Sequence, residues 1–331
     1  MRKKLTSIVV LCSTICLAAT GIVAYANVSD SSFSSRNQKS TDNMIFETIP
    51  ENETVNASAR KLNTAVNYNI ASKDDIYHMM LNTIDYYDKV SGTIYFPAPG
   101  DLNLVNTVEF QSVLSETKAY SHYSQAYADN ITAESIENIS SEAKNTDNLV
   151  WDEKYYCNAD ESINLNCLEK TYKTLSYDTI GLEAVCEIPD DERINEIDGE
   201  PCYNYRTNPT NVPEASICIF PQEMTFGYLA NQNLWSVNGT KVIDDKLCYH
   251  ISGTAEEDYG SKFNVSTFEL MVDVNTGVLI QYIGYDDNGE ISDYIYTENI
   301  SFENKADKVE TFSNNELTGY EEYQKNQYKN G

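Results

Sequence analysis

Basic charge is scarce in this sequence. There are 23 Lys and Arg against 51 Asp and Glu, a formal net charge of −28 over 331 residues. A field of that sign repels phosphate backbones and anionic lipid surfaces, which excludes nucleic acid as a partner. Histidine is scarcer, with only His78, His122 and His250. No G-x-S-x-G elbow and no H-E-x-x-H helix occurs, so two common hydrolase signatures are missing. No C-x-x-C occurs, which removes support for a zinc ribbon or a thioredoxin-type site. Cys248 and His250 share one strand face, but no third ligand accompanies them. Neither a metal nor a cofactor is expected.

Long apolar runs are also absent, apart from the one at the start. Met1-Arg2-Lys3-Lys4 precedes an apolar stretch from Ile8 to Val23 and then Ala24-Tyr25-Ala26. Basic region, apolar region and A-x-A site together predict a secretory signal peptide over 1–26, cleaved after Ala26. The alternative is an uncleaved anchor over Leu5–Ala26, the one way this chain would touch a membrane. Neither Cys12 nor Cys16 follows a small residue, so lipidation is not expected. The rest of the chain is therefore predicted to be secreted or displayed outside the cytoplasm. Losing Arg2, Lys3 and Lys4 leaves 20 basic against 51 acidic residues, a net of −31.

What is present is enough for a core: 41% hydrophobic residues, with 25 Tyr supplying much of it. Residues 27–70 are rich in Ser, Asn, Thr and Glu without a sustained period and read as a flexible linker. Ser72 and Asp75 form a capping-box-like start, followed by Ile76, Met79, Met80, Ile84 and Tyr87 at helical spacing. Val90–Phe96 reads as a strand and Val108–His122 as one long strand or a hairpin. Leu182–Ile188, Pro201–Arg206 and Ala215–Phe220 read as short strands, and Pro221 opens a short helix. After Phe302 the chain turns polar, and 306–331 is expected to be a mobile tail.

Six cysteines follow the leader: Cys157, Cys167, Cys186, Cys202, Cys218 and Cys248. An even set in an exported chain favours disulfides. A hairpin centred on Thr210 would set Cys202 opposite Cys218, the favoured pair. One centred on Ile194 would pair Cys186 with Cys202 instead, and a local Cys157–Cys167 loop is a further option.

Lys262–Phe302 is the clearest stretch. Phe268, Leu270 and Val272 alternate with Glu269, Met271 and Asp273, then Asn275-Thr276-Gly277 turns the chain. Val278, Ile280 and Tyr282 share one face. Asp286-Asp287-Asn288-Gly289 makes the next hairpin turn. Ile291, Asp293, Ile295 and Thr297 then oppose Tyr294, Tyr296, Ile300 and Phe302. This is an antiparallel meander.

V-D-x-x-T-G-V-L, a D-x-N-G turn and a closing T-x-x-I-x-F resemble the LolA/LolB/RseB-like group, most strongly over Leu234–Phe302. The helix leading into S-G-x-I near Ile76–Phe96 is a second point of likeness. The resemblance implies an α+β fold over 71–305, a large curved antiparallel sheet (a half-barrel) with a few packing helices. It also implies a non-catalytic binding or sensing role, holding an acyl chain or hydrophobic peptide or regulating an envelope process, with a hydrophobic small ligand or an envelope protein as partner. The ligand-lining candidates are then Trp235, Phe268, Leu270, Val278, Ile280 and Tyr282, lining either a cavity or a closed core. The alternative from another class is a secreted hydrolase acting on cell-wall polysaccharide through Asp/Glu pairs. Asp190-Asp191-Glu192 and Glu256-Glu257-Asp258 are the evident carboxylate clusters.

Overall fold

The computed structural model describes residues 71–128, 131, 132, 136, 139, 149–176, 188–197, 200–210, 212 and 214–323. The predicted leader and linker, Cys186 and most of the 131–148 segment lie outside the described residues. Helix α1 (Lys73–Leu81) starts as expected: the Ser72 hydroxyl accepts from Asp75 N, and Asp75 reaches back to Ser72 N at 3.1 Å. Ile76, Met80 and Leu81 form its buried stripe.

Two antiparallel meanders follow, separated in sequence and joined in space. The first comprises β1 (Lys89–Ala98), β2 (Asp101–Val113), β3 (Lys118–Tyr127), β4 (Leu149–Cys157), β5 (Glu161–Asn166) and β6 (Thr171–Ser176). The second comprises β9 (Trp235–Ile243), β10 (Lys246–Thr254), β11 (Thr267–Asp273), β12 (Leu279–Tyr285) and β13 (Ile291–Phe302). Antiparallel pairing of β1 with β13 fuses them. The intervening β7 (Ile194–Ile197) and β8 (Glu200–Tyr203) make a separate hairpin. With β14 (Glu321–Glu322) added in parallel to β6, the order is β14-β6-β5-β4-β3-β2-β1-β13-β12-β11-β10-β9. The fold is α+β, a large curved and unclosed sheet with a few helices, as the resemblance implied.

One face of the sheet packs against helices. α1 is joined there by α2 (Ser216–Ile219), α3 (Gln222–Leu229) and the adjoining loop, over Val90, Ile94, Val108, Phe110, Ile251 and Ile295. A further helix, α4 (Glu257–Phe263), bridges β10 and β11. The opposite, outer face is covered in part. Ile136 and Ile139 pack on Tyr95, Val105, Tyr294 and Tyr296. Val309, Phe312, Leu317 and Tyr320 pack on Tyr120, Tyr156, Ile163 and Leu165.

Three expectations are corrected. The polar stretch after Phe302 is not free as far as Tyr323: its sparse apolar residues form a strap across the outer face, with Tyr156 OH donating to Glu316. Residues 324–331 lie outside the described residues. Ala215–Phe220 is not a strand. Ala215, Cys218 and Ile219 must all face the sheet, and one helical turn buries that spacing where a strand would not. Finally, Ile300 does not share a face with Tyr294 and Tyr296. Asn299 at φ 59° sits in a bulge opposite Gly92, which flips the alternation and turns Ile300 to the helix face. Gly92 makes room, since a Cβ there would lie 2.5 Å from Ile300 Cδ1.

The β11–β12 turn is the tightest joint. The Asp273 carboxylate accepts from Asn275 N (3.0 Å), Thr276 N (2.9 Å) and Thr276 Oγ1 (2.8 Å), an Asx turn that is itself buried. Gly277 follows at φ 73°, and a Cβ there would meet Met79 O at 2.7 Å. By contrast Gly289, at φ 77° in the next turn, has nothing within 4 Å. Gly277→Ala should therefore cost about 3 kcal/mol or more, and Gly289→Ala only about 1 kcal/mol for its left-handed backbone. Urea denaturation of both variants measures this, and equal losses would remove the packing contribution assigned to α1.

Candidate functional site

The sheet strands β9–β13 and the helix layer build the candidate site. Alternation along β11 and β12 aims Phe268, Leu270, Ile280 and Tyr282 at the helices. Val278 and Trp235 join the same core. Each of these six predicted lining residues is exposed by 2% or less. The face is thus one continuous apolar surface filled, in this state, by protein side chains. Tyr228 of α3 lies across it, with ring centroids 4.6 Å from Phe268 and 5.3 Å from Tyr282.

Polar side chains fasten the helix layer. Arg193, after the turn that precedes β7, is fully buried and donates to Leu81 O (2.7 Å), Asn82 Oδ1 (3.0 Å), Asn204 O (3.0 Å) and Gln222 Oε1 (2.9 Å). Arg206 makes a two-pronged pair with Asp85 at 2.7 and 3.0 Å and also reaches Asn82 Oδ1 at 2.8 Å. Gln222 closes the knot by accepting from Arg206 N and donating to Arg206 O. Burial, and then the second guanidinium, push the pKa of Arg193 below its ordinary value. Thr83 and Tyr87 cap α2 by donating to Ile219 O. Lys73 does the same for the chain between α3 and β9, donating to Gln232 O at 2.6 Å and to Trp235 O. None of this was evident from sequence: an Arg in a polar stretch gives no signal that it will be buried.

The cysteine expectations change. Cys157, Cys167, Cys202, Cys218 and Cys248 are free thiols. The hairpin that would bring Cys202 to Cys218 does not form, because β8 pairs with β7 and Cys218 lies in α2. Cys157 faces Ser162, whereas Cys167 N bonds Asp152 O at the far end of the β4–β5 pair. Five residues of strand separate them, about 17 Å and far beyond the reach of a disulfide. Burial raises the pKa of four of these thiols, that of Cys248 to about 12.

Each histidine meets a carboxylate: His78 and Asp190 at 2.9 Å, His122 and Asp152 at 2.7 Å, His250 and Glu269 at 3.1 Å. Cys248 instead donates to Lys246 O. Among the described residues no three His, Cys, Asp or Glu side chains converge. The two sequence-evident carboxylate clusters are largely exposed. A different pair is not: Glu153 accepts from Trp151 Nε1 at 2.8 Å, and it lies close enough to Glu214 to repel it. Burial, then that repulsion, push Glu214 up to about 7. Asp293 is likewise raised to about 7 by burial, at the end of a hydroxyl chain formed by Tyr228 and Tyr282, 2.5 Å apart. These carboxylates are far apart in sequence, so no spacing marked them.

No family model matches the sequence, and no curated protein matches it. Solved structures similar to the chain include the Pseudomonas aeruginosa MucA/MucB complex, at 10% identity and a TM-score of 0.35. That alignment covers 75% of this chain and 60% of that one, less than two thirds of its length. LprF from Mycobacterium bovis aligns at 9% identity over 71% of this chain and 99% of that chain, with a TM-score of 0.31. The Mycobacterium tuberculosis lipoprotein LppX aligns at 10% identity over 69% and 95%, also with a TM-score of 0.31. All three are distant likenesses.

A carboxyl whose folded pKa lies above its unfolded value favours the folded state when protonated. The contribution of Glu214 and Asp293 is fully present below about pH 4, their unfolded range, and is lost as pH rises through about 7. Thermal melting should therefore give a higher midpoint at pH 5.5 than at pH 8. The Glu214→Gln/Asp293→Asn double variant should flatten that slope and melt higher than the parent at pH 8. An unchanged slope in the double variant would place the dependence elsewhere.

Proposed function

We propose that the domain is a non-catalytic binding or sensing module acting outside the cytoplasm. Its ligand is an acyl chain or a hydrophobic peptide segment, received on the apolar face of β9–β13 beneath α1–α3. One observation carries this reading: a broad apolar face is covered by helices of four to nine residues, held down by polar side chains. Helices that short have little stability of their own. Their cover is a set of docked pieces, and an apolar ligand replaces what they bury. Fully burying a side chain such as Leu270 or Phe268 contributes about 1.5–3 kcal/mol. Exposing all six candidates together would thus cost on the order of 10 kcal/mol, comparable with the stability of a whole domain. An empty site is therefore closed, and the layer lifts only as ligand enters.

Extracytoplasmic placement rests on the predicted leader. Among the described residues no helix is long and apolar enough to cross a membrane. An envelope protein whose apolar segment reaches this face would be regulated by the same movement.

The hydrolase alternative has Glu153 and Glu214 in its favour, two carboxylates brought together on the helix-facing side, one of them poised near neutral pH. Glu214→Gln would abolish hydrolysis of wall polysaccharide if that reading held, and would leave lipid uptake unaltered.

The test is intact mass of the secreted protein under native and then denaturing conditions, with and without prior incubation with palmitic acid or a lipid extract. A native excess mass that vanishes on denaturation, with lost amide protection in α1–α3, is the expected result. Asp85→Asn, which weakens the clasp on Arg206 without emptying it, should raise uptake several-fold. A bare chain in every case, with protection unchanged, would overturn the binding reading.

A further inference from the structure

Among the described residues the outer face is covered over β1–β6 and β13, and part of it across β9–β12 is hollow. A depression of about 510 Å³ runs across these four strands. Most of its lining lies on the other side of the strands from the apolar site, since alternation that sends Phe268 and Trp235 to the helices sends their neighbours outward, and those two core residues border it as well.

We propose that this groove binds a neutral oligosaccharide. The floor is a ladder of small hydroxyl side chains, with Ser252 opposite Ser236 and Thr254 opposite Thr267. Two walls flank the ladder. Asn238 is the extra residue of a bulge between Val237 and Gly239, and its amide donates to Ser252 Oγ at 2.8 Å. Tyr285 lies opposite Thr267, with its ring partly exposed and its hydroxyl near Glu269. The bulge re-aims the Asn238 amide, and alternation on β12 turns the Tyr285 ring, toward one hollow.

The chemistry selects among ligands. An apolar chain would strip water from these hydroxyls and amides without replacing their hydrogen bonds. No Lys or Arg lines the groove, while Glu269 does, in a chain of net charge −28, so anions are repelled. An extended peptide adding to the edge strand β9 would meet the bulge at Asn238 and Gly239, which breaks the run of backbone groups. Sugar hydroxyls both donate and accept, as do Ser, Thr and Tyr hydroxyls and the Asn amide. The Tyr285 ring offers an apolar face to a sugar's C–H surface while its hydroxyl stays wet.

The full secreted chain would be titrated with chitohexaose and cellohexaose, followed by calorimetry. The expected result is saturable binding of at least one hexasaccharide with a dissociation constant of about 1 mM or tighter. It should be insensitive to salt and unchanged by palmitic acid on the helix face. Asn238→Ala and Tyr285→Ala, both at the surface and checked by unaltered melting, should each weaken it about tenfold, near 1.4 kcal/mol. Tyr203→Ala, on the separate hairpin, should leave it unchanged. No saturable binding up to about 10 mM of either sugar, or binding that survives both groove variants, would overturn the proposal. Neither outcome bears on lipid uptake, so this site and the apolar one stand or fall separately.

Discussion

The apolar face of β9–β13 has to be kept from water, and the rest of the structure follows from how that is done. The sheet does not close on itself, since β14 and β9 end it without meeting. A closed barrel would bury such a face with its own strands, but here the cover must come from elsewhere in the chain. It comes from α1 ahead of the first meander and from α2, α3 and their loops between the two meanders. Because these pieces are short, propensity does not hold them in place. The Arg193–Arg206–Gln222–Asn82 knot does, by joining α1, the β7–β8 hairpin and α3 at one point.

That choice of fastening has consequences for function. A buried guanidinium without its partners is costly, so losing any one member of the knot weakens the hold on the whole cover. Arg193 Nε is buried without an acceptor, which leaves the knot short of fully satisfied. Under the proposed binding reading, a ligand would match the dispersion and hydrophobic contributions of the helices, while the clasp would set the threshold for release. The raised carboxylates near Tyr282 and Trp151 add a dependence on acidity to the same interior.

The two faces of the β9–β12 region are chemically opposite. Toward the helices they carry Phe268, Leu270, Ile280 and Tyr282; outward they carry Ser, Thr, Asn and Glu side chains around a hollow. An antiparallel sheet permits this because successive residues point to opposite sides, so one set of strands can serve two unlike surfaces. Over β3–β6 the outer face is instead occupied by the strap from Val309 to Tyr320.

Local patterns in the sequence determined much of this. The Ser72–Asp75 box and the Ile76–Met80 stripe specify α1, because capping and helical period act within a few residues. The β11–β13 meander is legible from alternation and from its two turns, where Asp273 and Gly277 impose geometry by themselves. The same alternation places Phe268 with Leu270, and Val278 with Ile280 and Tyr282, since a residue's face on a strand is a local property; naming them and Trp235 as ligand lining comes only from the resemblance. Tertiary structure alone decided the rest. Whether that face holds a cavity or a cover depends on which distant segment reaches it, and the few residues of α2 carry no period that tells a helix from a strand. The bulge at Asn299 reversed one strand's facing through its pairing with Gly92, which no single strand encodes. The strap beyond Phe302, the fate of the cysteines, the Arg193–Arg206 knot and the outer groove all join residues far apart in the chain. Local pattern fixes which way a side chain points, and only the assembled sheet fixes what it meets there.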